Sequence, residues 1–297
     1  MPNGVPLRSG RTTVGLKICR LHKQNPYIPA KLAKIVMKIA AAQISCAPGE
    51  IGANLRKIHE FTSRAKKVGA ELIVFPEMSD TGYSMPIIRK AATDWNQGAV
   101  PRLEEIAREF SIAIICGVSE REGDRIYNSQ VFFDAAGNMI AKYRKTHLVT
   151  ASQVDERSVF TPGDSFVSCQ VGNYIFGLTI CYDLRFPEVC RKLAVEEQVN
   201  VLVNSSAWPI VRVEHLRILA LTRAIENQSY LILANRTGVD DDGTLCGTSV
   251  IIDPYGAILS AASVDREEII YAEISEDIVD SVRKRMAVFD HRRRDLY

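Results

Sequence analysis

The spacing of apolar residues along the chain predicts an alternation of helices and strands. Over 54–68, the apolar residues Leu55, Ile58, Phe61 and Ala65 recur at intervals of three and four, which is the spacing of one helix face. Short apolar runs elsewhere are typical of strands, and the unbroken ones of strands covered on both faces. Strands are predicted at 38–44, 72–75, 112–118, 175–180, 199–203 and 230–234, and further helices at 103–110 and 214–228. This alternation is typical of layered α/β or α+β proteins.

Two segments depart from the alternation and predict further strands. The pattern over 127–143 is that of a hairpin, in which Gly137 and Asn138 provide the turn. Residues 247–274 predict two or three further strands, interrupted by Pro-Tyr-Gly at 254–256. The chain shows no internal linker rich in Gly, Ser or Pro, no low-complexity tract and no short-period repeat. We therefore expect a single domain over 37–297.

Residues 1–36 differ in composition from everything that follows. They carry only basic charges, and the first acidic residue of the chain is Glu50. Met37 directly precedes the first predicted strand. The segment has little Ser and no clear amphipathic period, so it does not match an organellar transit peptide. We expect 1–36 to be a basic N-terminal extension that is disordered or not native.

The overall composition is that of a soluble globular protein. Of 297 residues, 46% are hydrophobic and 24% are charged, and the net charge is only +2. This balance indicates neither nucleic acid nor a membrane surface as a partner, and no apolar run is long enough to span a membrane. The 7 cysteines are scattered and lack CxxC pairs, which favours a reducing, cytoplasmic location and indicates no metal site.

Three reactive side chains each follow a predicted strand. Glu77 follows LIVFP, Lys145 follows MIAKYR and Cys181 follows IFGLTI. Open α/β sheets place their chemistry beyond the carboxyl ends of strands, so these side chains are expected to meet at one rim. Taken singly, each has an ordinary alternative: a solvated loop acid, a surface lysine and a buried structural cysteine.

Together, the three residues form a set that nucleophilic catalysis requires. A free thiol is mostly protonated at neutral pH, so Cys181 needs a base or a cation beside it. Glu77 is the candidate general base. Lys145, with the backbone N–H of Tyr182, is the candidate stabiliser of an oxyanion. A competing mechanism uses His147 as the base, because it lies two residues from Lys145.

Three sequence blocks, taken in order, resemble the catalytic blocks of the nitrilase superfamily of carbon–nitrogen hydrolases. They are FPEMSDTGY at 75–83, YRKTHL at 143–148 and CYDLRFPE at 181–188. The resemblance spans about residues 38–297 and includes ERSVFTPGD at 156–164, NSSAW at 204–208 and GTSVIIDPYG at 247–256. Three ordered blocks, each with its reactive residue, form a specific signal.

The resemblance implies a four-layer αββα sandwich and a catalytic triad of Glu77, Lys145 and Cys181. Many members carry a second glutamate ahead of a TPGD-like turn, and Glu156 occupies that place, where it is expected to position Lys145 or the substrate. The family also implies assembly as a homodimer or a higher homo-oligomer. The reaction implied is hydrolysis of a small amide through a cysteinyl thioester, with release of ammonia or an amine and without a cofactor.

The residues around the nucleophile favour the amidase branch of that superfamily. True nitrilases usually carry Trp-Glu after the cysteine, where this chain has Tyr182 and Asp183, and Leu184 stands where carbamoylases tend to have an arginine. Arg185 is expected to bind a substrate carboxylate, as in omega-amidases, or to form a salt bridge with Asp183 or Glu188. The remaining candidates for the pocket lining are Tyr83, Asn128 and Trp208.

The expected activity is therefore that of an amidase acting on a small, carboxylate-bearing linear amide. The enzymatic alternatives are a nitrilase and an N-carbamoyl hydrolase. The alternative outside catalysis is a silent scaffold that binds a metabolite, against which the complete set of reactive residues argues.

Overall fold

In the computed structural model, residues 36–151, 154–240 and 243–296 are described. The predicted N-terminal extension therefore lies outside the described residues, apart from Val36. The strands, in chain order, are β1 (Val36–Gln43), β2 (Leu72–Val74), β3 (Thr93–Asp94), β4 (Ala113–Glu122), β5 (Arg125–Phe133), β6 (Met139–Arg144), β7 (Thr150–Ala151), β8 (Val154–Asp155), β9 (Val167–Val171), β10 (Tyr174–Ile180), β11 (Val201–Ser206), β12 (Tyr230–Asn235), β13 (Thr237–Asp240), β14 (Gly243–Cys246), β15 (Val250–Ile252), β16 (Ile258–Ala261) and β17 (Glu268–Ser275).

The helices include the three that the sequence predicts, and two of the others have favourable end residues. They are α1 (Ile51–Lys67), α2 (Met85–Ala91), α3 (Ala99–Phe110), α4 (Pro187–Val195), α5 (Val213–Asn227) and α6 (Glu276–Arg285). Pro187 begins α4 at a position where a missing N–H costs nothing. In α6, Glu276 and Asp277 occupy the first turn and basic residues the last, which complements the helix dipole.

Two large sheets form the centre of the described structure. The first has the order β17-β1-β2-β4-β5-β6, with β3 paired to β4, and the second has the order β16-β15-β12-β11-β10-β9. In the first sheet β1, β2 and β4 run parallel, and in the second β10, β11 and β12 run parallel. Apart from β3, which pairs parallel to β4, the outer strands of both sheets pair antiparallel. Each sheet therefore has a parallel centre and antiparallel edges.

Side-chain alternation shows how the layers stack. In β1, Ile39 and Ala41 belong to a core shared with the second sheet, through residues such as Phe176 and Val203. Their neighbours Ala40 and Ala42 belong to a separate core with α1 and α3. Because successive strand residues point to opposite faces, the first sheet lies between the helices and the second sheet.

The outer face of the second sheet is covered by α4 and α5. Leu193 and Ala194 of α4 and Leu216 and Ala220 of α5 are buried, and all but Ala194 belong to the same large core as the sheet residues. The order of layers is therefore helices, sheet, sheet, helices, and the predicted αββα sandwich is confirmed.

Polar bridges join the two sheets at the ends of their parallel strands. The Ser205 hydroxyl, at the end of β11, donates to the carbonyl oxygen of Phe75, the residue after β2, at 2.7 Å. The Gln130 amide of β5 donates to the same hydroxyl at 2.7 Å. Gly117 is required here, because a Cβ at this position would lie 2.6 Å from the Cα of Glu77. These contacts fix the backbone where Glu77 enters the space between the sheets.

Candidate active site

Cys181 lies at the end of β10 in a strained turn. It is the first residue of the 3-10 helix Cys181–Arg185, and its φ of 44° lies in the left-handed region. A left-handed conformation is uncommon for a residue with a Cβ, and such strain concentrates at functional sites. The side chain is buried but retains 7% exposure. The turn therefore presents the sulfur at the edge of the core.

Glu77 is held by three donors that come from three different elements. Its Oε1 accepts from the Asn128 amide at 2.7 Å and from the Lys145 ammonium at 2.9 Å. Its Oε2 accepts from the backbone N–H of Ala207, which follows β11, at 2.9 Å. The carboxyl group is fully buried. These contacts place Glu77 between the two sheets at the same rim as the cysteine.

Lys145 directly follows β6, and both its backbone and its ammonium group are held in place. Its N–H donates to the Asn128 carbonyl at 2.8 Å, and its carbonyl accepts from the N–H of Gly163 at 2.8 Å. The ammonium donates to Oε1 of Glu77 and, at 2.7 Å, to Oε1 of Glu156. The side chain is fully buried, so this ammonium is a fixed charge rather than a mobile surface one.

Glu156 is the second buried carboxylate of the cluster. Besides Lys145, its Oε1 accepts from the Tyr83 hydroxyl at 2.8 Å and from the Asn128 amide at 3.3 Å. Its Oε2 accepts from the backbone N–H of Val149 at 2.6 Å. Glu156 therefore joins Lys145 to two of the residues predicted to line the pocket.

The electrostatics follow from burying two carboxylates with one ammonium. Burial by itself lowers the pKa of Lys145, but Glu156 and Glu77 reverse this and raise that pKa well above its ordinary value. Burial raises the pKa of Glu156, and Glu77 raises it further although Lys145 opposes both. Lys145 therefore stays charged at neutral pH.

The Cys181 thiol feels the same groups. Burial and the charge of Glu77 raise its pKa well above the ordinary value, while Lys145 and the N–H of Ala207 lower it. The resting thiol is therefore protonated, and a base must take its proton before it can attack. The charges that act on the thiol are therefore those of the buried Glu77 and Lys145 pair.

The histidine alternative is not supported by the geometry. His147 Nδ1 lies 2.8 Å from Oδ1 of Asp183, and its ring stacks on Phe186 with 3.9 Å between ring centroids. The imidazole is thus engaged by a carboxylate and an aromatic ring. Among the described residues, no group of three or more His, Cys, Asp and Glu side chains has the arrangement of a metal site.

Arg185 is separate from both acids that were considered as its partners. Its guanidinium lies over the Trp208 ring, 4.7 Å from the centroid, and Nη2 is 3.4 Å from Nδ1 of His215. Neither Asp183 nor Glu188, both of them described, forms an ion pair with it. Burial and the charge of Arg212 lower its pKa. The guanidinium is therefore not neutralised by Asp183 or by Glu188.

Trp208 and Tyr182 complete the set of predicted site residues. The Trp208 indole N–H donates to the Arg212 carbonyl at 2.9 Å, and the ring is almost fully buried. Its backbone N–H donates to the Asn235 side chain at 2.8 Å. Tyr182 follows the cysteine in the 3-10 helix, and its ring packs edge-on against Phe186. These hydrogen bonds fix the Trp208 ring, on which the Arg185 guanidinium stacks.

A cavity of about 220 Å³ adjoins the carboxylate cluster. Its lining combines Tyr83 and Ala207 from that cluster with two charged side chains, Arg212 and Asp240. No sequence pattern points to the side chains of Ala207, Arg212 or Asp240. Ala207 acts through its backbone N–H, which no side-chain pattern reveals, although it lies inside the NSSAW segment.

The fold and this cluster define a carbon–nitrogen hydrolase. The family model described as carbon-nitrogen hydrolase matches residues 38–284, and the chain belongs to that family.

Individual relatives extend the comparison. A 2-oxoglutaramate amidase of Bacillus subtilis is 34% identical over 261 residues, which cover 87% of this chain and 98% of the relative. The crystal structure of Saccharomyces cerevisiae Nit3, a member of branch 10 of the nitrilase superfamily, superposes with a TM-score of 0.80 at 30% identity and covers 88% of this chain and 98% of that one. An amidase variant from Nesterenkonia superposes with a TM-score of 0.75 at 27% identity and covers 84% of this chain and 98% of that one. Its active-site cysteine carries the product of Michael addition of acrylamide.

Proposed function

We propose that this protein is an amidase that hydrolyses a small linear amide bearing a carboxylate, with release of ammonia and a carboxylic acid. The observation that carries the proposal is the buried cluster of Glu77, Lys145 and Glu156, whose charges act on the Cys181 thiol at a strained strand end. The relatives named 2-oxoglutaramate amidase and amidase support the same reaction.

In the proposed acylation step, Glu77 takes the proton from the Cys181 thiol as the sulfur attacks the amide carbon. The carbonyl oxygen becomes an oxyanion, to which Lys145 Nζ and the N–H of Tyr182 donate. Glu77 then passes the proton to the amide nitrogen, the C–N bond breaks and ammonia leaves. A thioester between the acyl group and Cys181 remains.

In the proposed hydrolysis step, Glu77 takes a proton from water as the water oxygen attacks the thioester carbon. The same oxyanion donors act again. The C–S bond breaks, the carboxylic acid leaves and the sulfur regains a proton, which restores the resting thiol. Glu156 contributes by accepting a hydrogen bond from Lys145 at 2.7 Å. This second acceptor fixes the position of the ammonium, which Glu77 alone would not do.

The preference for a carboxylate-bearing substrate depends on Arg185. Its guanidinium lies over the Trp208 ring and within the influence of the Arg212 charge, and it forms no salt bridge with Asp183 or Glu188. A guanidinium with this support is suited to bidentate binding of a carboxylate. The combination of amide chemistry and a cationic end favours monoamides of short dicarboxylic acids.

The test is a substrate panel with ammonia release as the readout. The panel contains a dicarboxylic acid monoamide, the neutral amide of the same length, the corresponding nitrile and an N-carbamoyl amino acid. We expect the monoamide to react fastest and Cys181→Ala to be inactive. Ammonia from the nitrile alone, or from the carbamoyl compound alone, contradicts the assignment. No ammonia from any of them favours a binding protein.

We also propose that the catalytic domain spans 37–297 and that the protein is a cytoplasmic homodimer. In the described part of the chain, no helix has the length and apolar character that a membrane span requires. Cys190, Leu193 and Ala194 are buried within the subunit, whereas Ile218 and Ile225 of α5 are 61% and 51% exposed, two turns apart on one face. Sedimentation at several concentrations, with Ile218→Glu beside the wild type, tests whether α5 joins two copies.

A further inference from the structure

The Asp183 carboxylate is fully buried and accepts hydrogen bonds from two separate segments. From its own turn, the N–H of Ile180 donates to Oδ2 at 3.0 Å. From the segment after β6, the Tyr143 hydroxyl donates to Oδ2 at 2.7 Å, and the Thr146 hydroxyl and the His147 N–H donate to Oδ1 at 3.2 Å each. His147 Nδ1 lies 2.8 Å from the same oxygen. The carboxylate thus joins the two segments.

These contacts make the spacing between the two segments rigid. A buried carboxylate is stable only while donors satisfy it, because desolvation is costly. If the segments moved apart, Asp183 would keep one donor from Ile180 and lose the others. Burial and the charge of Asp183 raise the pKa of Tyr143 well above its ordinary value, so the phenol remains a donor at neutral pH.

The two joined segments are those that carry the proposed nucleophile and the proposed oxyanion donor. Tyr143 and Thr146 flank Lys145, and Ile180 directly precedes Cys181. No hydrogen bond joins Asp183 to the Lys145 ammonium, whose two acceptors are Glu77 and Glu156. The Asp183 carboxylate therefore affects the site indirectly, by fixing the backbone positions of the segments that carry Lys145 and Cys181.

We propose that Asp183 is a positioning residue that fixes the distance between the Lys145 ammonium and the Cys181 sulfur. The proposal deepens the amidase mechanism and rests on the roles given there to Lys145 and Cys181. It assigns to Asp183 no contact with the substrate. We call the hydrogen bonds from Ile180, Tyr143, Thr146 and His147 to the Asp183 carboxylate the clamp. Misplacing a catalytic group by about 1 Å can cost about 100-fold in rate, so loss of the clamp should lower kcat measurably.

Asp183→Asn tests the clamp, because each carboxylate oxygen faces one backbone N–H. Oδ2 faces that of Ile180 and Oδ1 that of His147. A backbone N–H cannot turn round to accept, so the new NH₂ group meets a donor in either orientation and one side of the clamp is lost. Tyr143→Phe removes one donor and leaves the carboxylate. Asp253→Asn is the matched control, because Asp253 accepts two backbone N–H groups of an exposed turn outside the site.

The readout is the rate at which iodoacetamide alkylates Cys181, measured against pH by peptide mass spectrometry, which separates Cys181 from the partly exposed Cys169. Lys145 lowers the thiol pKa, so a displaced ammonium moves the pH midpoint upward. We expect Asp183→Asn to show this shift and to lose about 10- to 100-fold in kcat with KM nearly unchanged, Tyr143→Phe to change less in the same direction, and Asp253→Asn to match the wild type.

The proposal is overturned if Asp183→Asn and Tyr143→Phe both keep the alkylation profile and the kcat of the wild type, even if their melting temperatures fall. Should Asp183→Asn fail to fold, Tyr143→Phe decides by the same criteria. Alkylation does not depend on amide turnover. A wild type that hydrolyses no amide, combined with a shifted profile in Asp183→Asn, therefore contradicts the amidase function and leaves the clamp standing.

Discussion

Replacing Glu156 with glutamine removes one charge from the buried cluster and keeps its shape. If the amide oxygen takes the place of Oε1, the NH₂ group faces the N–H of Val149, which loses an acceptor at 2.6 Å. An unsatisfied N–H costs about 1–3 kcal/mol, and replacing the ionic hydrogen bond from Lys145 by a neutral one costs about 1–1.5 kcal/mol. Burial already raises the pKa of Glu156, so removing its charge recovers part of this cost. We expect a net loss of about 3 kcal/mol in the free energy of unfolding.

The activity of Glu156→Gln is expected to fall as well. Lys145 then keeps an ion pair with Glu77 alone and only a weaker, neutral hydrogen bond to the new amide, which draws the ammonium away from the oxyanion and engages the proposed base. Losing an oxyanion donor costs about 100- to 1000-fold, so we expect a loss in kcat of about 100-fold.

Urea unfolding and ammonia release measure the two effects. Glu122→Gln is the control, because Glu122 also contacts a basic side chain, that of Arg144, at 2.7 Å but is 59% exposed. We expect this control to match the wild type in both measurements. Wild-type kcat and stability in Glu156→Gln would refute the reasoning about the cluster.

Three further predictions concern the pocket, the packing and the pH dependence. Arg185→Leu should raise KM for a carboxylate-bearing amide by about 10- to 100-fold and leave a neutral amide unchanged, since an ionic hydrogen bond is worth about 1.5–3 kcal/mol; equal effects on both substrates would assign Arg185 a structural role. Gly117→Ala should destabilise the protein by about 1–3 kcal/mol in urea unfolding, because its Cβ would meet the backbone of Glu77, whereas Gly52→Ala has room and should not. The pKa of Lys145 is raised in the folded state, so its stabilising contribution is fully present below pH 10.5 and is lost only as the pH rises through the folded-state pKa. The difference in unfolding free energy between wild type and Lys145→Met should therefore not fall as the pH rises from neutral to 10.5. A loss of this difference below pH 10.5 would contradict a charged, buried Lys145.

Much of the sandwich is predictable, because its central strands are covered on both faces and appear as unbroken apolar runs. The runs at 72–75, 112–118 and 199–203 fall on β2, β4 and β11. The hairpin predicted over 127–143 corresponds to β5 and β6, and the three strands within 247–274 are β15, β16 and β17. In these segments the burial pattern and the local sequence agree.

Three of the elements that the sequence does not predict have weak patterns. The hairpin of β13 and β14 lies in a polar, Gly-containing stretch without alternation. Helix α6 is mostly charged and buries only Val279 and Val282. Helix boundaries also differ by a few residues: α1 begins at Ile51 rather than at 54, because its first turn is only partly buried, contains Gly52 and lies ahead of the apolar periodicity.

The residues of the candidate site also fall into two groups: those that a sequence pattern points to and those that only the resemblance or the coordinates reveal. Glu77, Lys145 and Cys181 stand at strand ends, where topology brings distant residues together, so a sequence pattern points to them. Glu156 lies in a 3-10 turn directly after the two-residue strand β8, and only the family resemblance points to it. The N–H of Ala207 and the carboxylate of Asp183 act through contacts between segments that are far apart in the chain, and these require coordinates.

The central claim is that Cys181 forms a thioester with the acyl part of an amide. Mixing the protein with a dicarboxylic acid monoamide, quenching in acid within milliseconds and measuring the intact mass tests it directly. We expect a mass increase equal to the substrate minus ammonia, located on the peptide that contains Cys181 and missing in Cys181→Ala. Ammonia release with no adduct at any quench time, or an adduct that persists in Cys181→Ala, would contradict it.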